Sequence, residues 1–250
     1  MNSHANEHYD ERWARAAQSR LVDYKRAEIV LGFIDRFLDS WHSAPPLHLL
    51  DVGCGWGWLS DKISRYGEVT GLEPSPRGVK EANNRFPHIN FINDVFPSRQ
   101  LEGRQFDIVL CSEVIEHVQA QKSFVRGLAD ATRRGGALVL TTPNGTHWRE
   151  YSRKNQESLQ PVEQWLTRRE LEGLLYGVGF AVVRYRQWHT GFTSRGIYRL
   201  FNSHKANKVL QMCRCGLARD FVITALDLGL YQGLLAFMDP GVVIAGSEES

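Results

Sequence analysis

The chain has 250 residues, 42% of them apolar and 23% charged, and a formal net charge of +2. That length suits one α/β domain with additions, and the apolar share excludes a disordered chain. The near-neutral balance lacks the basic excess of a nucleic-acid binder, so no nucleic acid is expected as a partner. The polar opening MNSHANEHYDERW carries no signal-peptide core. No apolar run reaches the roughly 18 residues of a membrane span, so no transmembrane span is expected. Cys54, Cys111, Cys213 and Cys215 form no disulfide framework, and Cys213 and Cys215 lack the C-x₂-C spacing of a zinc site. A reducing, cytoplasmic setting is expected.

Residues 8–41 read as helical, with Ile29, Val30, Phe33, Ile34, Phe37 and Leu38 spaced along one face. Ser43-Ala44-Pro45-Pro46 ends that segment. Strands and helices then alternate. Leu47–Val52 is an apolar strand and Trp58–Tyr66 a helix. Glu68–Leu72 is the second strand, followed by a helix over Ser75–Arg85 with Ser75 as its cap and Pro76 in its first turn. Ile89–Ile92 and Phe106–Cys111 are the next strands. A helix is predicted from about His117 to Arg134, stopped by Gly135-Gly136, and Ala137–Thr142 is the fifth strand. Residues 145–166 read as an irregular excursion. Thr167 then opens a helix over Arg168–Gly177, with Glu170 completing a T-x-x-E box. Phe180–Trp188 is the sixth strand. Residues 189–240 read as largely helical, with an apolar helix over Phe221–Phe237, and Gly241–Ala245 is the expected last strand. This alternation argues for a parallel sheet with helices on both faces.

The segment Leu49-Leu50-Asp51-Val52-Gly53-Cys54-Gly55-Trp56-Gly57-Trp58 carries the most chemistry. A strand that breaks into a glycine-rich turn and then a helix is a nucleotide cradle, because glycine admits close approach and positive φ. Trp58 stands where the dinucleotide fingerprint G-x-G-x-x-G needs its third glycine, which counts against an NAD-dependent oxidoreductase. Glu73 follows the second strand, near the roughly 20-residue offset of a carboxylate that grips ribose hydroxyls. Two acceptor oxygens suit a vicinal diol. Asp94 and Val95 follow the third strand, where an acid accepts from an adenine amino group or simply makes a turn.

Four motifs in order, DVGCG, LEPSP, FDIVLCSEVIEHV and LVLTTPN, resemble class I S-adenosylmethionine (SAM) methyltransferases over about residues 45–185. Asp51, Gly53, Gly55 and Gly57 match the D/E-x-G-x-G-x-G motif of that family in full. Within that family the chain resembles the ubiquinone-biosynthesis O-methyltransferase and small-molecule methyltransferase group. The resemblance implies a three-layer Rossmann-like fold with a seven-stranded, mostly parallel sheet. It implies S-adenosyl-L-methionine as cofactor, S-adenosyl-L-homocysteine as product, and a cofactor set of Asp51, Gly53, Cys54, Gly55, Gly57, Glu73, Pro74, Asp94, Val95, Ser112 and Glu113. Residues 1–44 are expected as a helical lid, with Tyr9, Trp13 or Tyr24 near the cofactor. Residues 45–250 are then the catalytic domain, with a helical insertion at about 192–240.

Methyl transfer is an in-line displacement governed by positioning and exclusion of water. A hydroxyl acceptor also needs its proton removed, and an amine often does not. His117, Glu116, His147 and Glu113 are the candidates for that base. His117 at a helix start is a neutral base or a capping residue. Glu113-x-x-Glu116-His117 also resembles the E-x-x-E-H arrangement of small-RNA 2′-O-methyltransferases, which implies a divalent metal. Segment 158–165 lacks that family's further histidine, and no metal is expected. Trp148, Tyr151 and Trp165 line an acceptor pocket or form a satellite core. Arg149, Arg153, Lys154, Arg168 and Arg169 meet an anionic acceptor or form a solvated face. The expected activity is methylation of a small-molecule acceptor, at oxygen in preference to nitrogen, by a monomer or homodimer. A non-catalytic SAM-binding module is the remaining alternative.

Overall fold

The computed structural model describes residues 20–41, 46–149, 163–188 and 231–239. They form α1 (Arg20–Leu38), β1 (Leu47–Val52), α2 (Trp58–Ile63), β2 (Gly67–Glu73) and α3 (Pro76–Arg85). There follow β3 (Asn90–Asn93), β4 (Phe106–Ser112), α4 (Gln121–Ala131), β5 (Thr132–Pro143), α5 (Arg168–Tyr176), β6 (Phe180–Trp188) and β7 (Tyr231–Met238). The seven strands make one sheet in the order β3-β2-β1-β4-β5-β7-β6. Strands β1 to β5 pair in parallel, and β7 runs antiparallel between β5 and β6.

Alternation along the central strands builds two cores. Leu49, Ile108, Leu110, Val139 and Leu235 face one layer, where α1, α2 and α3 lie. Leu50, Val109, Leu138, Leu140 and Leu234 face the other, against α4 and α5. Parallel strands buried on both faces need such continuous apolar runs. Helix α1 buries Ile29, Val30, Phe33, Ile34 and Phe37, the predicted face, while Leu38 stays half-buried. Ser75 caps α3 by accepting from the Gly78 N–H, with Pro76 in the first turn. Thr167 and Glu170 close the predicted capping box of α5.

Several boundaries differ from expectation. The Trp58–Tyr66 helix is α only to Ile63, and Ser64–Tyr66 tightens to 3₁₀. The helix expected from His117 to Arg134 is α4, only Gln121–Ala131, preceded by a 3₁₀ turn at Ile115–His117. It ends early because Thr132 turns extended to pair with Phe106, its hydroxyl donating back to the Leu128 carbonyl at 2.7 Å. Gly135-Gly136 therefore lies inside β5 rather than at a helix stop. A side chain on Gly136 would meet the Arg133 and Asp107 carbonyls at 2.8 Å, beside the register shift between Phe106 and Ile108.

The excursion after β5 opens as helix at 145–149, capped by Asn144, whose Oδ1 accepts from the Thr146 N–H at 3.0 Å. In the apolar segment Phe221–Phe237, residues from Tyr231 onward are strand β7 and not helix. A mostly apolar run carries little period to separate the two. Tyr9, Trp13, Tyr151, Arg153, Lys154 and Gly241–Ala245 lie outside the described residues. Among the described residues, no helix is long and apolar enough to cross a membrane.

Candidate functional site

The candidate site forms at the carboxyl ends of β1, β2 and β4, where open parallel sheets bind their ligands. After β1, Gly53, Gly55 and Gly57 all adopt positive φ, at 72°, 59° and 80°. The turn is pinned to β2, with the Gly53 and Cys54 N–H groups donating to the Leu72 carbonyl at 2.7 and 3.1 Å. A side chain on Gly53 would sit 2.4 Å from Val114 Cγ2, so the glycine turn and the segment after β4 touch. A side chain on Gly57 would sit 2.6 Å from Phe91 on β3. The turn thus requires glycine for both conformation and space.

Glu73 ends β2 and is only 4% exposed. Its Oε2 accepts from the Gly55 N–H and its Oε1 from the Ser75 N–H, each at 2.9 Å. This carboxylate therefore ties the glycine turn to the start of α3. Asp51 is buried and accepts from the Ser60 hydroxyl at 2.6 Å. Burial, and then the nearby Glu73 charge, push its carboxyl up to about 7. Cys54 is buried beside Gly71, and burial raises its thiol well above the ordinary range. Half-buried Pro74 accepts at its carbonyl from Asn93 Nδ2 at 3.0 Å.

Asp94 holds the next turn together. Its Oδ1 accepts from the Val95 N–H at 2.8 Å, and its Oδ2 from the Ser98 hydroxyl at 2.6 Å. The Ser98 bond, first among these, lowers its carboxyl below the ordinary range. Val95 is 43% exposed beside it.

After β4 the chain makes a tight, strained turn. Glu113 sits at φ 58°, the left-handed region that side chains avoid. Its N–H donates to the Thr141 carbonyl at 2.8 Å, and its Oε1 accepts from the Thr141 hydroxyl at 3.0 Å. The Ser112 and Thr141 hydroxyls lie 2.8 Å apart. Desolvation raises the Glu113 carboxyl to about 7, against the pull of the Arg26 charge from α1. Glu116 is 2% exposed, with Oε2 accepting from the Thr142 hydroxyl at 2.9 Å and Oε1 3.7 Å from His117 Nε2. His117 is half-buried in the 3₁₀ turn, not at the head of a helix, since α4 begins at Gln121. His117 therefore does not stand at the N-terminus of α4, where the helix dipole would favour its neutral form. His147 lies in the helical turn 145–149, apart in sequence and element from the post-β4 group.

Among the described residues, no three His, Cys, Asp or Glu side chains converge as metal ligands. Trp148 packs against Trp165 and Tyr231 with ring centres 6.0 Å apart, and Tyr231 stacks on Trp188 at 5.8 Å. Arg149 pairs with Glu170 at 2.8 Å, and Arg168 with Glu172 at 2.8 Å. Two of the basic residues considered for an anionic acceptor are thus already engaged. A cavity of about 540 Å³ opens beside them, lined in part by Gln121, Arg149, Glu163 and Trp165.

The sequence reading missed Ser60, Val114, Thr141 and Thr142. The only signal for the threonines was their place in TTPN at the end of a strand, since parallel neighbours end side by side.

A family model described as a methyltransferase domain matches residues 8–185. Ubiquinone biosynthesis O-methyltransferase of Methylobacterium sp. (strain 4-46) is 39% identical over 105 residues, 40% of this chain and 42% of that protein. The enzyme of the same name from Cereibacter sphaeroides (strain ATCC 17029 / ATH 2.4.9) is 32% identical over 128 residues, 49% of this chain and 51% of that one. The chain thus spans about half the length, or less, of these curated relatives. The crystal structure of magnesium protoporphyrin IX methyltransferase (ChlM) from Synechocystis PCC 6803 with bound SAM superposes with a TM-score of 0.55 at 16% identity. That match covers 88% of this chain and 83% of that one. The fold, the glycine turn and the match over most of the sequence agree: the chain belongs to the class I SAM-dependent methyltransferase family, whose cofactor is SAM.

Proposed function

We propose that the protein transfers the methyl group of SAM to a hydroxyl of a small-molecule acceptor. The observation that carries the oxygen reading is the Glu113 carboxyl at the end of β4, held at φ 58° and by the Thr141 hydroxyl at 3.0 Å, which burial pushes up to about 7 and so suits to accept a proton. The O-methyltransferase names of the curated relatives support the same reading.

Glu73 fits the ribose diol of SAM, and the positive-φ glycines admit its approach. Ser112 and Glu113 flank the methyl. Bound there, SAM supplies an electrophilic methyl on a sulfonium. The chain's own residues orient the two reactants, exclude water and accept the proton within the Glu113–Glu116–His117 segment.

Isothermal titration with SAM, S-adenosylhomocysteine and NAD tests the donor. SAM and its product bind and NAD does not. A folded sample that ignores SAM sinks the proposal. Glu73→Ala weakens SAM binding by about 1–3 kcal/mol, through loss of hydrogen bonds to a charged acceptor. Methyl uptake across a panel of dihydroxybenzoates and matched anilines tests oxygen against nitrogen.

A further inference from the structure

The carboxyl-terminal ends of β4 and β5 lie side by side, with Ser112 registered opposite Thr141. Thr141 is fully buried and contacts Glu113 twice, through its carbonyl to the Glu113 N–H and through its hydroxyl to Oε1. A threonine hydroxyl has one proton. With that proton given to Glu113, Thr141 must accept from Ser112 at 2.8 Å. The result is a directed chain, Ser112 to Thr141 to Glu113, that fixes the rotation of the carboxylate.

Glu113 also holds a left-handed backbone at φ 58°. That strain persists in folded proteins where the surroundings enforce it, and it gathers at functional sites. The other charged groups facing Glu113 are Arg26 from α1, and Glu116 and His117 from the 3₁₀ turn.

We propose that Thr141 is a positioning residue that aims the Glu113 carboxylate at the acceptor hydroxyl, with Glu113 the base that takes its proton. This rests on the reading of the chain as an O-methyltransferase. As the acceptor oxygen forms its bond to the methyl carbon, the carbon–sulfur bond breaks and its electron pair stays on sulfur. The hydroxyl proton passes to Glu113, which returns it to solvent. Glu113 must be ionised for this step. Donation from Thr141 favours the ionised form, so losing that donor moves the working range to higher pH.

The test uses Thr141→Val, Thr141→Ser and Glu113→Gln. SAM affinity by calorimetry and circular dichroism establish that each variant is folded and loaded. Turnover is read with the dihydroxybenzoate panel against pH. Glu113 is also titrated directly by ¹³C NMR of side-chain-labelled glutamate, its signal identified by its loss in Glu113→Gln.

Thr141→Val lowers kcat roughly tenfold with little change in KM for SAM. It also moves both the acidic limb of the rate profile and the Glu113 midpoint upward, and Thr141→Ser restores both. Glu113→Gln lowers kcat by about a hundredfold or more. An unmoved Glu113 midpoint in Thr141→Val overturns the inference even where no panel member is methylated. So does wild-type turnover in Glu113→Gln. If the wild-type protein fails to bind SAM, the methyltransferase reading falls instead, and the two failures are distinguishable.

Discussion

The two halves of the sheet are built on different plans. The half from β3 to β4 consists of parallel strands, and β1 and β2 each run through a short turn into a helix. Its key contacts are short in sequence, such as Gly55 to Glu73 and Asp51 to Ser60. The half from β5 to β6 is completed by β7, which arrives antiparallel from far down the chain. There one buried side chain does the fastening. Gln232 Nε2 donates to the Leu166 carbonyl at 2.7 Å and lies 3.5 Å from the Pro143 carbonyl, while its Oε1 accepts from the Tyr185 hydroxyl at 2.9 Å. Gln232 so clasps both ends of the excursion that leaves β5. The first half carries the glycine turn and Glu73, and the second frames the segment between Pro143 and Leu166.

If that division is right, lesions in the two halves have separable effects. The largest is expected from Gly53→Val. It combines φ 72° with a side-chain overlap against Val114, and costs roughly 3 kcal/mol or more. Calorimetry then shows SAM binding abolished, and near-native stability with intact binding counts against that division. Next comes Gln232→Leu, which leaves the buried Leu166 carbonyl without that donor and costs about 1–3 kcal/mol in denaturant melts. SAM affinity is unchanged there while acceptor KM rises, and a parallel loss of SAM binding erases the distinction. The smallest effect sharpens the boundary at Glu113. Because φ 58° suits glycine, Glu113→Gly melts above Glu113→Ala by about 1 kcal/mol, although both lose turnover.

The same division explains what the sequence made legible. The apolar runs of β1 and β4, the Ser75 cap and the Thr167–Glu170 box are local signals, and they survive in the fold. Glu73 stood out because its offset from the glycine turn is fixed by one strand–helix–strand unit. By contrast, the Thr141–Glu113 pair depends on the register of β4 against β5, and no local pattern encodes register across a parallel pair. The segment up to Arg134 read as helix because Gly135-Gly136 suits a helix stop; pairing of Thr132 with Phe106 decided otherwise. Strand β7 hid inside a mostly apolar stretch, and its Gln232 is the clasp.

The placement of β7 also sets a timetable. Among the described strands, β6 pairs only with β7, and Trp188 is followed by Tyr231 as its partner after 42 intervening residues. During synthesis the glycine turn and its strands emerge early and can pair among themselves. Strand β6 then waits without a ladder, and the apolar flank of β5 stays open, until Tyr231–Met238 has left the ribosome. A chain stalled in that interval carries a formed nucleotide cradle and a bare sheet edge, the kind of surface that chaperones cover and that neighbouring chains extend.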